Sequence, residues 1–360
     1  MIKPKLIRVL IVDDSSVARA ILREILEGQE DIEVIAEAVN GKEAISLVEQ
    51  LRPDLVTMDL NMPIMNGLEA IEHIMHHKAV PILVVSSETD ADLAYQALSN
   101  GALEVIAKPN FDPEQVEQFI HQIRLLSGVP VITRMKRFNP NDKLDKMATQ
   151  VCFVEKNATE HPIFAIASST GGPKALANLL SLLPKDFPAP ILIAQHISNG
   201  FIEGMAYWLS TLSLLPVKVA EEGELLEPGK VYLSPSEQHL TITPDYRVKL
   251  QTRAEKDIYH PSCDVMLNSV AEVFGTEAIG IIMTGMGRDG TKGMTAIYNR
   301  GGITLAQDEA SSVIYGMNAE AVNAGVIHRE LPLSCLADEM LRILLLKPAG
   351  YLAAMRRGDL

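Results

Sequence analysis

The run Ser168-Ser169-Thr170-Gly171-Gly172-Pro173 sets hydroxyls on a glycine-rich turn between an apolar stretch and a helical one. A serine placed there has an exposed hydroxyl close to backbone N–H groups and to the positive end of a helix, where a developing oxyanion could be held. The same residues could equally be helix caps, with Gly171-Gly172 a packing or phosphate turn, and on this motif alone the two readings stand level. Its company favours chemistry. Gln195-His196 ends the next apolar stretch, and Thr284-Gly285-Met286-Gly287-Arg288-Asp289-Gly290 follows a third. A serine nucleophile needs a base to take its proton, and an imidazole base needs a carboxylate to fix its tautomer. Ser169, His196 and Asp289 supply one of each. His260, Ser262 and Asp264 form a rival cluster. Chain neighbours rarely face one another, however, and Ser262 reads better as the cap of the helix it starts, with Asp264 favouring its positive end.

A second constellation lies nearer the N-terminus. Asp13 and Asp14 follow one apolar stretch, Asp59 another, Ser86 closes a fourth and Lys108, before Pro109, a fifth. Three converging carboxylates make a hard oxygen site suited to Mg2+, which accepts phosphoryl oxygens while keeping several waters. A hydroxyl and a fixed positive charge on the same edge would stabilise a phosphoryl group moving to a carboxylate. Any one of these residues could be an ordinary polar loop residue. Their conjunction, each at the end of a strand-like stretch and in the right order, argues for a site.

Positioning these groups requires parallel strands. Over residues 6–126, short apolar runs at 8–12, 32–37, 54–58, 82–85 and 103–107 alternate with amphipathic helical patterns, which predicts a flavodoxin-like, doubly wound α/β domain. Residues 127–161 lose that periodicity and read as a linker. A second alternation follows, with strands at 163–167, 191–194, 279–283 and 303–306, a hairpin-like stretch at 230–250, and helices starting near 173, 201, 262, 290 and 333. This predicts a larger, Rossmann-like α/β domain with a mainly parallel sheet over residues 162–350.

Composition narrows the possibilities. A chain of 360 residues suits two or three domains, and 47% apolar residues suffice for real cores. The net charge of −14 argues against a protein built to bind the nucleic-acid backbone, and no partner of that kind is expected. Three cysteines without paired spacing signal neither a disulfide framework nor a zinc site. With no apolar leader and no membrane-length run, the chain reads as soluble and cytoplasmic.

Residues 6–125 resemble the response-regulator receiver family, including Asn61-Met62-Pro63 and the Gly67 turn after Asp59. That resemblance implies Asp59 as phosphoacceptor, Asp13 and Asp14 holding Mg2+ with it, Ser86 and Lys108 as switch residues, and a histidine kinase as phosphodonor. Val105 stands where that family usually has Tyr or Phe. The second half resembles the catalytic domain of the chemotaxis protein-glutamate methylesterase (CheB) family. The shared features are the Ser-Thr-Gly-Gly turn, the Gln-His pair, the Thr-Gly-Met-Gly-x-Asp-Gly loop, Pro261-Ser262 with Asp264, and Gln307-Asp308-Glu309-Ala310 leading to Tyr315-Gly316-Met317. Departures are Ala167-Ser168 for the common Gly-Ala, Ser198-Asn199 for Pro-Pro, Arg288 for a neutral residue and Asn318 for Pro.

By position, the resemblance implies Ser169 as nucleophile, His196 as general base and Asp289 as its orienting acid, with Thr170 and Met286 in the loops that hold the oxyanion. It further implies hydrolysis of glutamate methyl esters on the cytoplasmic helices of chemoreceptors, deamidation of receptor glutamines, no cofactor for the ester chemistry, and membrane association only through the receptors. A receiver in front would cover the active site until phosphorylated. Three rivals differ in class. A transcriptional regulator is disfavoured because its output module would be short and all-helical. A related protein could bind a partner without chemistry, or could act on another ester outside chemotaxis, since a triad defines acyl transfer better than substrate.

Overall fold

The computed structural model describes residues 6–87, 91–131, 162–254 and 258–359. The chain divides into two compact units, Met1–Asn139 and Pro140–Leu360. Of the stretch expected as a linker, residues 132–161 lie outside the described residues.

In the first unit the order is β1 (Ile7–Val12), α1 (Ser16–Glu27), β2 (Ile32–Ala38), α2 (Gly41–Leu51), β3 (Leu55–Met58), α3 (Gly67–His77), β4 (Ile82–Ser86), α4 (Ala91–Asn100), β5 (Glu104–Ala107) and α5 (Pro113–Leu126). The strands form one parallel sheet in the order β2-β1-β3-β4-β5. Every residue of β3 and β4 is buried, as befits parallel strands covered by helices on both faces. Short polar residues start the helices. The side chains of Ser15, Asn40, Asn66 and Asp112 each accept a backbone N–H from the first turn of α1, α2, α3 and α5. The sheet order reverses direction between β1 and β3, so the loops after these two strands open a crevice at their carboxyl ends.

The second unit contains β6 (Ile163–Ser168), α6 (Gly172–Leu180), β7 (Ile191–Gln195), α7 (Ile202–Leu212), β8 (Val217–Val219), β9 (Val231–Leu233), β10 (Gln238–Ile242), β11 (Val248–Thr252), α8 (Cys263–Phe274), β12 (Ala278–Ile282), α9 (Thr291–Asn299), β13 (Ile303–Gln307), α10 (Met317–Asn323), β14 (Arg329–Leu331) and α11 (Leu333–Arg357). Seven parallel strands run β14-β13-β12-β6-β7-β9-β8. The stretch expected as one hairpin holds three strands. Val231–Leu233 joins the parallel sheet, and only β10 and β11 form the antiparallel pair. β8 and β14, three residues each, are too short to show a period in the sequence.

From β6 the chain builds outward through β7, then returns to the other flank with β12 and β13. The switch of direction lies at β12 and β6. Helix α11 bends at Lys347-Pro348, where Lys347 has φ 58°. Beyond the bend, buried Tyr351 donates a hydrogen bond to buried Glu339, which also pairs with Arg329 at 2.5 Å.

Candidate active site

Three adjacent strands of the larger sheet, β12, β6 and β7, end in the loops that carry Asp289, Ser169 and His196. The ladder continues just past the strands: the Ser169 N–H donates to Thr284 O at 3.0 Å and the His196 N–H to Ser168 O at 3.1 Å. Three loops are thereby fixed to one another by backbone. His196 Nε2 lies 2.8 Å from Asp289 Oδ2.

The two neighbouring serines differ in circumstance. Ser168 is fully buried and its hydroxyl donates to Gln195 Oε1 at 2.7 Å, whereas Ser169 is partly exposed. Gln195 also donates from Nε2 to Ser169 O at 2.9 Å and to His196 O at 2.8 Å, so one amide ties the serine turn to the histidine loop. A Cβ on Gly172 would overlap this amide, and one on Gly285 would come within 2.7 Å of Ser169 Cβ and 2.5 Å of Met317 Sδ. Gly171, at φ 76°, turns the chain into α6. Thr170 is buried and its carbonyl accepts from Thr284 Oγ1 at 2.9 Å, while Met286 keeps about a third of its surface exposed at 36%.

Asp289 sits under the N-terminus of α8. Its Oδ2 accepts from Cys263 N at 2.6 Å, and its Oδ1 accepts from Asp264 N and Ser262 Oγ, both at 3.0 Å. In return, Asp264 Oδ1 accepts from Gly290 N at 2.9 Å and Gly293 N at 2.8 Å, at the start of α9. Asp289 thus caps α8, and Asp264, within the first turn of α8, caps α9, which satisfies orphan N–H groups and locks α8 to α9. Burial pushes the Asp289 carboxyl up, but the His196 contact and the backbone N–H groups outweigh it and hold the carboxyl below its ordinary range. Burial is also the first cause for Asp264, whose carboxyl stays raised with Asp289 nearby.

Sequence patterns did not reveal several members of this site. Tyr259 stacks on the His196 ring, centroids 5.0 Å apart and planes 9° from parallel. Cys263 is fully buried with Sγ 3.6 Å from His196 Nε2. Ser262 caps α8 as expected, accepting from Val265 N at 3.3 Å, and its hydroxyl reaches Asp289 as well. The one available signal was Gln195, a polar residue closing a wholly buried strand. His260, the rival histidine, instead faces Glu237 at 3.3 Å. Asn318, fully buried, donates from Nδ2 to Gln307 O at 2.9 Å and to Ser312 Oγ at 2.8 Å, bonds that a proline there could not make.

In the smaller sheet, Asp13 follows β1 and Asp59 follows β3, both buried, and Asp14 beside them is exposed. One carboxylate oxygen from each of the three lies within 4.8 Å of the others. Lys108 Nζ bridges Asp13 Oδ2 at 2.7 Å and Asp59 Oδ1 at 3.0 Å. Burial raises the Asp59 carboxyl, opposed by Lys108 and reinforced by Asp13, and leaves it above the usual range. Burial works against the Lys108 charge, but its two carboxylate partners prevail and raise it. Ser86 is fully buried, its carbonyl accepting from Lys108 N at 2.9 Å. Gly67 starts α3 against the Asp59 backbone, where a Cβ would collide with the Asp59 carbonyl.

Comparison with known proteins adds to this geometry. Residues 164–340 match the CheB methylesterase family and residues 9–121 the response regulator receiver domain. A protein-glutamate methylesterase/protein-glutamine glutaminase of Paramagnetospirillum magneticum is 52% identical over 340 residues, 94% of this chain and 96% of the relative. One from Myxococcus xanthus is 40% identical over 339 residues, 93% and 96% of the two chains. The crystal structure of the Thermotoga maritima CheB methylesterase catalytic domain superposes with a TM-score of 0.50 at 35% identity, covering 51% of this chain and 98% of that one.

Proposed function

Because the chain belongs to the CheB methylesterase family and carries a receiver domain ahead of the matching region, we propose that it hydrolyses glutamate methyl esters, and deamidates glutamines, on chemoreceptors under control of phosphorylation. The receiver spans residues 1–126 and the catalytic domain 162–350 in this reading, joined by 127–161.

The observation that carries it is the 2.8 Å contact of His196 with Asp289 at the carboxyl end of three adjacent strands, beside a serine turn. Since Nε2 is committed to Asp289, Nδ1 is the ring nitrogen that serves Ser169. Ser169 Oγ attacks the ester carbonyl carbon and gives its proton to His196 Nδ1. The C–O bond to methoxide breaks as that proton passes to the leaving group, which departs as methanol. Water then loses a proton to the same nitrogen and attacks the acyl carbon, and that proton passes to Ser169 Oγ as its bond to the acyl carbon breaks, which frees glutamate and restores the serine hydroxyl. A glutamine side chain follows the same course with ammonia leaving. Asp289 stabilises the imidazolium in both half-reactions, and we assign the oxyanion to backbone N–H groups at Thr170 and Met286.

In the receiver, Asp59 is assigned as phosphoacceptor, with Ser86 and Lys108 contacting the phosphoryl group. The all-oxygen donor set of Asp13, Asp14 and Asp59 fits Mg2+, which would neutralise phosphoryl oxygens there. The phosphodonor is a histidine kinase and the substrate lies on the cytoplasmic helices of the receptor. Among the described residues no helix is long and apolar enough to cross a membrane.

The test is methanol release from methylated chemoreceptor membranes with a small phosphodonor and Mg2+. Release by the native chain and its loss in Ser169→Ala are expected. No release, from membranes that a known methylesterase demethylates, would overturn the assignment of substrate.

A further inference from the structure

The triad has a fourth neighbour that ester hydrolysis does not use. Cys263 Sγ is fully buried, 3.6 Å from His196 Nε2, which is itself 2.8 Å from Asp289 Oδ2. One donor atom from each of the three residues lies within 4.8 Å of the other two. Donors held about 2.0–2.3 Å from a tetrahedral ion stand about 3.2–3.7 Å apart, so the Cys–His separation already suits one and the His–Asp separation has to open by about half an ångström. Thiolate, imidazole and carboxylate together suit a borderline-soft cation and not Mg2+. The carboxylate is already aimed by Ser262 Oγ and the N–H groups of Cys263 and Asp264, the outer support that metal ligands require. His196 is the member open to solvent, with 15% of its side chain exposed, and gives an ion its approach.

We propose that Cys263, His196 and Asp289 form a site for one thiophilic divalent cation of the Zn2+ class, whose binding switches the esterase off. The charges balance. With a neutral thiol and imidazole the group carries the single negative charge of Asp289, and binding displaces the thiol proton to solvent and leaves the ligated site neutral. The imidazole retains its one ring proton, which moves from Nε2 to Nδ1 when the ion takes the Nε2 lone pair. Nδ1 then has no lone pair to accept the Ser169 proton, and His196 loses its contact with the free carboxylate. This inhibition rests on the roles proposed above for Ser169 and His196, whereas the binding itself does not.

Both parts are tested on the full chain, with Mg2+ in excess to occupy oxygen sites. Co2+ alone is the optical probe, because thiolate ligation gives a near-ultraviolet charge-transfer band. The native chain and Ser169→Ala should each show the band at one equivalent, and Cys263→Val and His196→Ala should lack it. Cys152 and Cys335 remain in the Cys263→Val chain, so a band surviving there, or absent from the native chain, overturns the site. Cys263→Ser repeats the comparison should valine unfold the helix start. Zn2+ alone, added to the methanol-release assay, should inhibit the native chain reversibly, a chelator restoring the rate. Half-inhibition of Cys263→Val, measured against its own metal-free rate, should need at least about tenfold more Zn2+; equal sensitivity overturns the switch. If no methanol is released by any protein, the Co2+ band still decides the metal site, and the failure falls on the proposed activity.

Discussion

Ser168 and Ser169 are adjacent in sequence, yet their hydroxyls stand in different settings, Ser168 buried and Ser169 partly exposed. Ser168 Oγ donates to Gln195 Oε1 in a fully buried setting, so Ser168→Ala should cost about 1–3 kcal/mol of stability and leave an active enzyme. Ser169→Ala should unfold at the native midpoint and lose at least about 10⁴-fold in kcat. Parallel melting curves and methanol-release rates check both, and the reverse pattern would reassign the nucleophile. Asp289 makes a pH prediction at the same scale. Its carboxyl is held below its ordinary range, so in acid the folded chain binds fewer protons there than the unfolded chain. The resulting stabilisation is full above the unfolded carboxylate pKa of about 4 and is lost as pH falls through the lower folded value. The stability difference between native protein and Asp289→Asn should therefore hold between about pH 6 and about pH 4 and shrink as pH falls further, in urea titrations. An unchanged difference would remove the charged Asp289 contact from the account. The residue types of this site were legible because each ends an apolar run. Tyr259 and Cys263 were not, since stacking and thiol proximity depend on the crossing of α8 over the sheet, which no local pattern encodes.

Elements set the tolerance of this site. The turn after β6 and the loop after β12 touch through Gly285, where a Cβ would meet Ser169 Cβ at 2.7 Å, Ser169 N at 3.0 Å and Met317 Sδ at 2.5 Å. The backbone of α10 closes the same loop, with Gly316 N and Met317 N both donating to Gly285 O. Gly285→Ala has to displace either the serine turn or the start of α10. A displacement of about 1 Å at a nucleophile costs about 100-fold, so kcat should fall by that order while the chain still folds. Near-native kcat would mean that Met317 yields instead. The crossed capping of α8 and α9 is a second element-scale device. Asp264→Ala removes two N–H partners at the head of α9 and should lower stability by about 1–2 kcal/mol in thermal or urea unfolding. Parallel strands and their helices were readable because buried runs of four to six residues alternated with amphipathic ones. The three-residue strands β8 and β14 carry too few residues for a period. The 230–250 stretch looked like one hairpin because strand-forming residues and turns alone do not say which sheet a strand joins. Val231–Leu233 is placed by its parallel pairing with β7 and β8, a long-range property.

At the scale of the whole molecule, two units each with its own parallel sheet hold two chemistries: carboxylates with a lysine in one, a serine, histidine and aspartate in the other. The order of the two sequence patterns was enough to expect both units, whereas residues 132–161, outside the described residues, lack the periodicity from which structure could be read. Joining the chemistries in one chain has regulatory meaning only if phosphorylation at Asp59 shifts an equilibrium between states of different esterase activity. In the unphosphorylated receiver Lys108 already bridges Asp13 and Asp59 at 2.7 and 3.0 Å. A phosphoryl group on Asp59, the acceptor proposed above, would change the charge and geometry that this lysine meets at the carboxyl edge of the sheet. With coupling of the usual 1–3 kcal/mol, a small phosphodonor with Mg2+ should raise native methanol release by about 5- to 150-fold. Asp59→Asn keeps the shape of the side chain but cannot form the acyl phosphate, so its rate should be the same with and without donor. Ser169→Ala should still incorporate one phosphoryl group per chain while releasing no methanol. Measured together, the two substitutions separate the switch from the chemistry it controls, and donor-stimulated release by Asp59→Asn would place the acceptor elsewhere.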